Sequence, residues 1–350
     1  MEQLMEFKVL NWNVAGAKYL EEKEEERKRF KIELNDTLKR LVKVHNPDVV
    51  TLQELVQCGE TKSDILAPLD DYNYHFFPLI DSESFSVRAK WRKIEAKGKW
   101  PSGTYFAQGN GFLFKKGIPH QPVWGLPKEG NCQPRANRSN YESNYVEKVV
   151  LQSGLYFGDR DTEPRAALVS HFVYNPNSKP IDIFVLNVHL TTLTMEREGV
   201  PEIDKRATEI RLHQLDIIFF GIVSRYNSWR RGGFRERGER RNPDDWETHD
   251  RHEPVWVITG DFNSTPESCE YRAIENMNFM DVVPHKGKGA GTKAPGAGKQ
   301  ATLTLDYIFA GPKFISLNPL ILQEGIRGNC VLNERVSDHF PMVATIPVWR

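Results

Sequence analysis

Six short polar segments break an otherwise apolar rhythm: Asn11-Trp12-Asn13, Leu52-Gln53-Glu54, Asn187-Val188-His189-Leu190, Gly260-Asp261-Phe262-Asn263, Leu305-Asp306-Tyr307 and Ser337-Asp338-His339. Each sits at or beside an apolar run of the kind that forms a buried strand. Their side chains suit a hard metal ion and a phosphate. Mg2+ or Mn2+ takes oxygen ligands and often only one or two carboxylates, leaving water and substrate phosphate to complete the shell. Glu54 and Asp338 are candidate ligands, and the amides of Asn13 and Asn263 could hold a ligand or orient a nucleophile. Asp261 could bind a metal or activate water. A charged imidazole at His189 or His339 would stabilise a pentacovalent phosphate. Asp306, a carboxylate in an apolar run, needs a partner, and His339 is a reasonable one. Singly, each residue has a plainer reading: Asp and Asn after strands form turns, and a strand histidine is usually a hydrogen-bonded core residue. The inference rests on all six together, spread from residue 11 to residue 339.

The elements that must carry these segments are partly visible. Residues 7–14 read as a strand. Phe30, Leu34, Leu38 and Leu41 make one stripe of a helix over about 20–44 that ends at Asn46-Pro47. Asp48–Leu52 is then a buried strand that delivers Gln53 and Glu54. Further strands are expected at 109–117, 164–174, 182–190 (paired with 164–174), Val255–Asn263, 303–310, 315–322 and 342–349. Helices are expected over 203–224 and just after Asn263, with Ser264-Thr265-Pro266 as its start. Residues 118–163 yield no firm element. The pattern predicts an α/β sandwich rather than a doubly wound parallel sheet, in one domain over 1–350, with insertions at 80–165 and 225–253.

The 350 residues are 39% hydrophobic and 27% charged, enough for a sizeable core. No apolar run approaches the length of a membrane span, and no secretory signal is recognisable at the N-terminus, so a cytoplasmic location is expected. Cys58, Cys132, Cys269 and Cys330 are far apart with no Cys-x-x-Cys pair, which favours free thiols over zinc or disulfides. The formal net charge is zero, yet 88–99, 230–241 and 286–299 are strongly basic. Such runs are commonly solvated loops; three of them between strands carrying candidate site residues favour an anionic substrate. The last is expected to form a flexible loop.

With these segments the chain resembles the endonuclease/exonuclease/phosphatase superfamily, which includes DNase-type nucleases, apurinic endonucleases, deadenylases, sphingomyelinases and inositol polyphosphate 5-phosphatases. The resemblance implies a four-layer α/β/β/α sandwich and phosphoester hydrolysis by a Mg2+-activated water, with Mn2+ as a possible substitute. It implies that Asn13, Glu54 and Asp338 form the metal side. It further implies that Asp261 and Asn263 orient or deprotonate the water, that His189 and His339 face the phosphate, and that Asp306 supports His339. Asn110 and Arg165 match weaker family positions and are expected to bind substrate. Arg211 and Gln214 read as structural. Ala15 stands where apurinic endonucleases carry a carboxylate, they lack the His189 position, and Thr302–Phe309 departs from the phosphatase motif. The remaining motifs are closest to deadenylase-like and generic bacterial-type members.

Three function classes follow. The first is a phosphodiester hydrolase, in particular a nuclease, supported by basic runs interleaved with Trp91, Trp100 and Phe234, because bases stack on aromatic faces. The second is a phosphatase or phospholipid-type phosphodiesterase on a small phosphoester. The third is an inactive binding protein of the same fold, disfavoured because every acid and histidine position is filled. A nucleic acid or other phosphodiester is the expected partner.

Overall fold

The computed structural model describes residues 5–16, 19, 23–59, 63–81, 100, 104–121, 146–152, 164–174, 181–193, 196–230, 254–283, 292–293, 303–311, 326–327 and 337–348. The chain begins and ends in one sheet and visits the other between. In chain order, the first sheet takes β1 (Met5–Asn13), β2 (Val49–Cys58), β3 (Ser63–Asp64), β4 (Tyr72–Asp81) and β5 (Phe106–Lys115). The second takes β6 (His120–Gln121), β7 (Val146–Gln152), β8 (Arg165–Tyr174), β9 (Ile181–His189), β10 (Val255–Asp261), β11 (Met280–Asp281) and β12 (Asp306–Gly311). Strands β13 (Ile326–Arg327) and β14 (Met342–Val348) return to the first.

The sheet orders are β13-β14-β1-β2-β5-β4, with β3 on β2, and β11-β12-β10-β9-β8-β6, with β7 on β8. Each sheet is built on one parallel pair, β1 with β2 and β9 with β10, flanked by antiparallel neighbours. A parallel pair needs a long crossover, and here each crossover carries the helix that covers its sheet. Helix α1 (Glu24–His45) opens with three glutamates, favourable at the positive end of its dipole. It closes on Asn46 at φ 47, a conformation asparagine tolerates, before Pro47. Helix α2 (Pro201–Asp216) starts on a proline and runs on through a π-helical stretch, Ile217–Ser224, to Arg230. Helix α3 (Cys269–Asn276) is capped by Ser268, whose Oγ accepts from the Tyr271 N–H at 3.2 Å. That cap corrects the expected start at Ser264-Thr265-Pro266: two competing start signals lie close together, and the hydroxyl that reaches a free helix N–H decides.

Three apolar layers separate the four. Phe30, Leu34 and Leu38 of α1 pack on Leu10, Trp12 and Leu52; Val9, Val49, Val185 and Val257 fill the space between the sheets; Phe184, Trp256 and Phe309 meet Leu215 and Ile218 of α2. The fold is the expected four-layer α/β/β/α sandwich. Strand β4 was not anticipated, because its burial is irregular and only Tyr72 and Ile80 are fully covered among its residues. The expected strand at 315–322 and the bulk of the three basic runs lie outside the described residues.

Candidate active site

Strand alternation (a period of two) sorts each central strand into an outer and an inner row. The inner row changes character along its length. In β1 it reads Phe7, Val9, Asn11, Asn13; in β2, Val49, Thr51, Gln53; in β9, Ile183, Val185, Asn187, His189; in β10, Val255, Val257, Thr259, Asp261. The parallel registers align these changes, pairing Asn13 with Gln53 and His189 with Asp261. The first polar level ties the sheets together. Gln53 Nε2 donates to Asn11 Oδ1 (2.8 Å) and across to Asn187 Oδ1 (2.7 Å). Asn187 Nδ2 donates back to the carbonyls of Leu52 and Gly111, and Thr259 to Thr51 (2.8 Å). All five side chains are buried, where a polar atom without a partner is costly.

The next level is the site. Asn13 Nδ2 donates to Glu54 Oε1 (3.1 Å) and Asp261 Oδ2 (3.0 Å), joining the sheets through one amide. Its Oδ1 accepts from the Ala15 N–H (2.9 Å). Glu54 adopts φ 58, which shifts the register of β2 against β5 between Leu52 and Leu55 and re-aims the carboxylate. Gly16 donates its N–H to the Glu54 carbonyl; a Cβ there would sit 2.1 Å from that oxygen, so glycine is required. Asn263, at φ 50, donates its backbone N–H to Asp261 Oδ1 (2.9 Å) and its side-chain amide to the Leu190 carbonyl (2.9 Å).

The two histidines differ. His339 Nδ1 lies 2.8 Å from Asp306 Oδ2, and its Nε2 3.8 Å from Asp261 Oδ2. Burial alone would push the imidazole down, but the Asp306 and Asp261 charges win and raise it to about 9, so the ring is cationic at neutral pH. Burial raises Asp306. Burial also opposes ionisation of Asp261, yet the positive charges of His339, the His189 ring and Lys293 outweigh it and hold the carboxyl at about 2. On the other side, Arg165 Nη1 lies 3.0 Å from His189 Nδ1. The other ring nitrogen, Nε2, lies 3.9 Å from Glu54 and 3.8 Å from Asp261. The raised His339 agrees with the expectation of a charged imidazole there.

Two groups of residues could take a metal. Asp261, Asp306 and His339 place ligand atoms within 4.8 Å of one another. That cluster is buried, and its imidazole already bonds Asp306; a protonated ring has no lone pair for an ion. Glu54 fits better: its side chain is 21% exposed, an amide and a carboxylate lie beside it, and hard cations favour such oxygen donors.

Beside Glu54 and His189 lies a small cleft, lined also by Leu79, Ile80, Gln108, Asn110, Pro164 and Arg165. The structure thus brings Asn110 and Arg165 to the site, and both amide atoms of buried Asn110 lack a hydrogen-bond partner among the described residues. Asn13, Glu54, His189, Asp261, Asn263, Asp306 and His339 all converge. Asp338 is half-buried between Ser337 and His339. Ser337, not singled out from the sequence, ties two motifs together: its hydroxyl donates to the Asn13 carbonyl (2.7 Å) and accepts from the His339 N–H (3.0 Å). Its place beside two titratable residues was the only available signal. Thr292 and Lys293 also reach the site from the run expected to be a loose loop. Trp100, expected among base-stacking aromatics, instead packs on the α1 layer with the Arg27 guanidinium 3.8 Å above its ring. Trp91 and Phe234 lie outside the described residues.

Comparison with known proteins agrees with the architecture. No curated protein matches the chain. An endonuclease/exonuclease/phosphatase family protein from Bacteroides thetaiotaomicron is similar in structure, with 12% identity, 99% of this chain and 98% of that chain covered and a TM-score of 0.50. The catalytic domain of human Nocturnin with bound sulfate has 14% identity, 100% and 98% coverage and a TM-score of 0.45. A mannosyl-6-phosphatase of Bacteroides thetaiotaomicron has 13% identity, 98% and 99% coverage and a TM-score of 0.47. The likeness to the first of these, at 12% identity, speaks to the fold alone. The model of the Endonuclease/Exonuclease/phosphatase family, however, matches residues 10–339, from the first polar segment to the last, and the chain belongs to that family of metal-dependent phosphoester hydrolases.

Proposed function

We propose that the protein is a Mg2+-dependent phosphodiester hydrolase acting on DNA, RNA or a nucleotide, with Mn2+ able to replace Mg2+. The observation that carries this reading is the convergence of a partly exposed carboxylate, Glu54, an ionised buried carboxylate, Asp261, and two histidines, His189 and His339, that each approach Asp261 to 3.8 Å. Glu54, Asn13 and Asp338 are the residues that would hold the ion, which when bound polarises the phosphoryl oxygens and acidifies water. Asp261 accepts a hydrogen bond from the attacking water. Held at about 2, it is a weak base, so its main contribution is orientation, with Asn263 beside it. The cationic His339 donates from Nε2 to a non-bridging phosphate oxygen, and Asp306 keeps the other ring nitrogen occupied. His189 donates its Nε2 proton from the opposite side. The water oxygen bonds to phosphorus and gives up a proton, the ester P–O bond breaks, and the leaving oxygen takes up a proton, so the proton count balances.

A second reading is a phosphatase or phosphodiesterase on a small phosphoester. The narrow cleft and the packing of Trp100 away from the site favour it. A substrate panel with Mg2+, Mn2+ or a chelator separates the two: single- and double-stranded DNA, poly(A) RNA, an inositol polyphosphate, sphingomyelin and a generic phosphodiester. Metal-dependent cleavage of a nucleic acid, lost in Asp261→Asn, supports the first reading. Turnover confined to a small phosphoester replaces it with the second, and no turnover anywhere sinks both.

A further inference from the structure

Thr292 and Lys293 come from the Gly/Lys-rich run, yet their backbone is fastened on two sides. The N–H groups of Thr292 and Lys293 donate to the Leu303 carbonyl at 2.8 and 2.9 Å, and Leu303 N–H returns a bond to the Lys293 carbonyl. On the other edge, Phe340 N–H donates to the Thr292 carbonyl at 2.8 Å. The Thr292 hydroxyl oxygen, buried, accepts from the N–H groups of Leu305 and Asp306, each at 2.9 Å. A short ribbon therefore inserts between the Asp306 and His339 segments.

Lys293 lies directly opposite His339 in an antiparallel bridge. Opposed residues in such a bridge project their side chains to the same side. The His339 ring on that side reaches to 3.8 Å from Asp261, so the lysine stem starts toward the same opening. Its charge is felt there, lowering both Asp261 and His339. The residue is only half-exposed. Among the described residues its ammonium has no hydrogen bond or ion pair. The oxygens of Asp261 already serve Asn13 and Asn263. An ammonium partly removed from water without a partner is unfavourable unless an anion arrives. A lysine kept for stability would be paired, and a merely solvated one would not be fastened at the mouth of a site.

We propose that Lys293 is a substrate-binding residue whose ammonium takes a non-bridging phosphoryl oxygen on the His339 side, opposite Arg165 and His189. This rests on the phosphoester reading and adds to it a second cationic contact that the six polar segments do not contain. Its ligand class is a phosphate oxyanion, so inorganic phosphate is a sufficient probe.

The experiment is calorimetric titration of the Mg2+-supplemented full chain with inorganic phosphate, for the wild type, Lys293→Met and Lys293→Arg, alongside thermal melts. The expected result is at least a ~10-fold weaker Kd in Lys293→Met, equivalent to about 1.4 kcal/mol. Lys293→Arg should stay within about threefold because it keeps the charge. The melting temperature of Lys293→Met should be unchanged or raised, since an unpartnered ammonium is replaced by an apolar chain of similar length. Equal phosphate affinity in the wild type and Lys293→Met overturns the assignment, as does a marked fall in melting temperature with unaltered affinity. Absence of phosphate binding by the wild type overturns it too. Wild-type turnover on the phosphoester panel then tells whether the parent reading fails with it.

Discussion

The layer between the two sheets has two ends made by the same four strands. At one end Phe7, Val9, Val49, Ile183, Val185, Val255 and Val257 interlock without a polar atom; at the other Asn11, Asn13, Thr51, Gln53, Asn187, His189, Thr259 and Asp261 fill the equivalent positions. Backbone geometry and burial are alike, so the difference lies in what each side chain requires. An apolar position needs volume and tolerates a neighbour of similar size. A polar position needs a partner at a fixed distance and angle. The apolar end therefore contributes stability through area, and the polar end contributes a unique arrangement. Thr51, Gln53, Asn187 and Thr259 form the boundary, holding the sheets in register directly below Asn13 and Asp261.

This contrast can be broken from either end. The largest effect is expected for Asp261→Asn. Shape is kept while the charge beside His339 and the water acceptor are lost, and turnover should fall by roughly 10²–10⁴-fold, measured under saturating substrate. A loss below about tenfold would remove Asp261 from the chemistry. At the apolar end, Ile183→Ala should lower unfolding free energy by about 2–5 kcal/mol in urea titration, with turnover per folded molecule largely preserved. If turnover collapsed while stability held, the two ends would not be separable as described.

At the boundary, Gln53→Leu deletes the bond across to Asn187 and the bond to Asn11 within its own sheet; Asn11 Oδ1 keeps the Thr51 hydroxyl, and the Asn187 oxygen loses its donor. A stability loss of about 1–3 kcal/mol is expected, together with reduced turnover, because Asn13 and Asp261 sit one level above. Stability loss alone would make the boundary a structural seam with no bearing on the site. The smallest effect is the pH dependence of folding. Raised to about 9, His339 contributes stability that is complete below its unfolded value of about 6.5 and is lost as pH climbs through about 9. Asp261, held at about 2, contributes above about 4 and loses this as pH falls through about 2. Melting curves from pH 5 to 10 should decline on the alkaline arm, and His339→Gln should flatten it. An unchanged slope would mean that the ring is not cationic in the folded protein.

Periodicity is a local property, and where it was clean it was sufficient. The Phe30–Leu41 stripe located α1, and the apolar runs before Asn13, Glu54, His189 and Asp261 located their strands. The family resemblance supplied the four layers. Where a strand has an irregular face, as in β4, or two start signals compete, as at α3, local pattern was not enough. No helix among the described residues is long and apolar enough to cross a membrane, in keeping with the apolar-run lengths.

The linear chain by itself determined which side chains could do chemistry, because residue type and its place at the end of a strand are encoded locally. Only the tertiary structure decided their states. His189 and His339 are the same residue in similar motifs, yet one backs onto the guanidinium of Arg165 while the other backs onto the carboxylate of Asp306, which keeps it charged. Those partners are 24 and 33 residues away in the chain, and protonation depends on the field at a point in space rather than on position along the backbone. The same holds for Lys293, whose place opposite His339 follows from a bridge across 46 residues that no local pattern records.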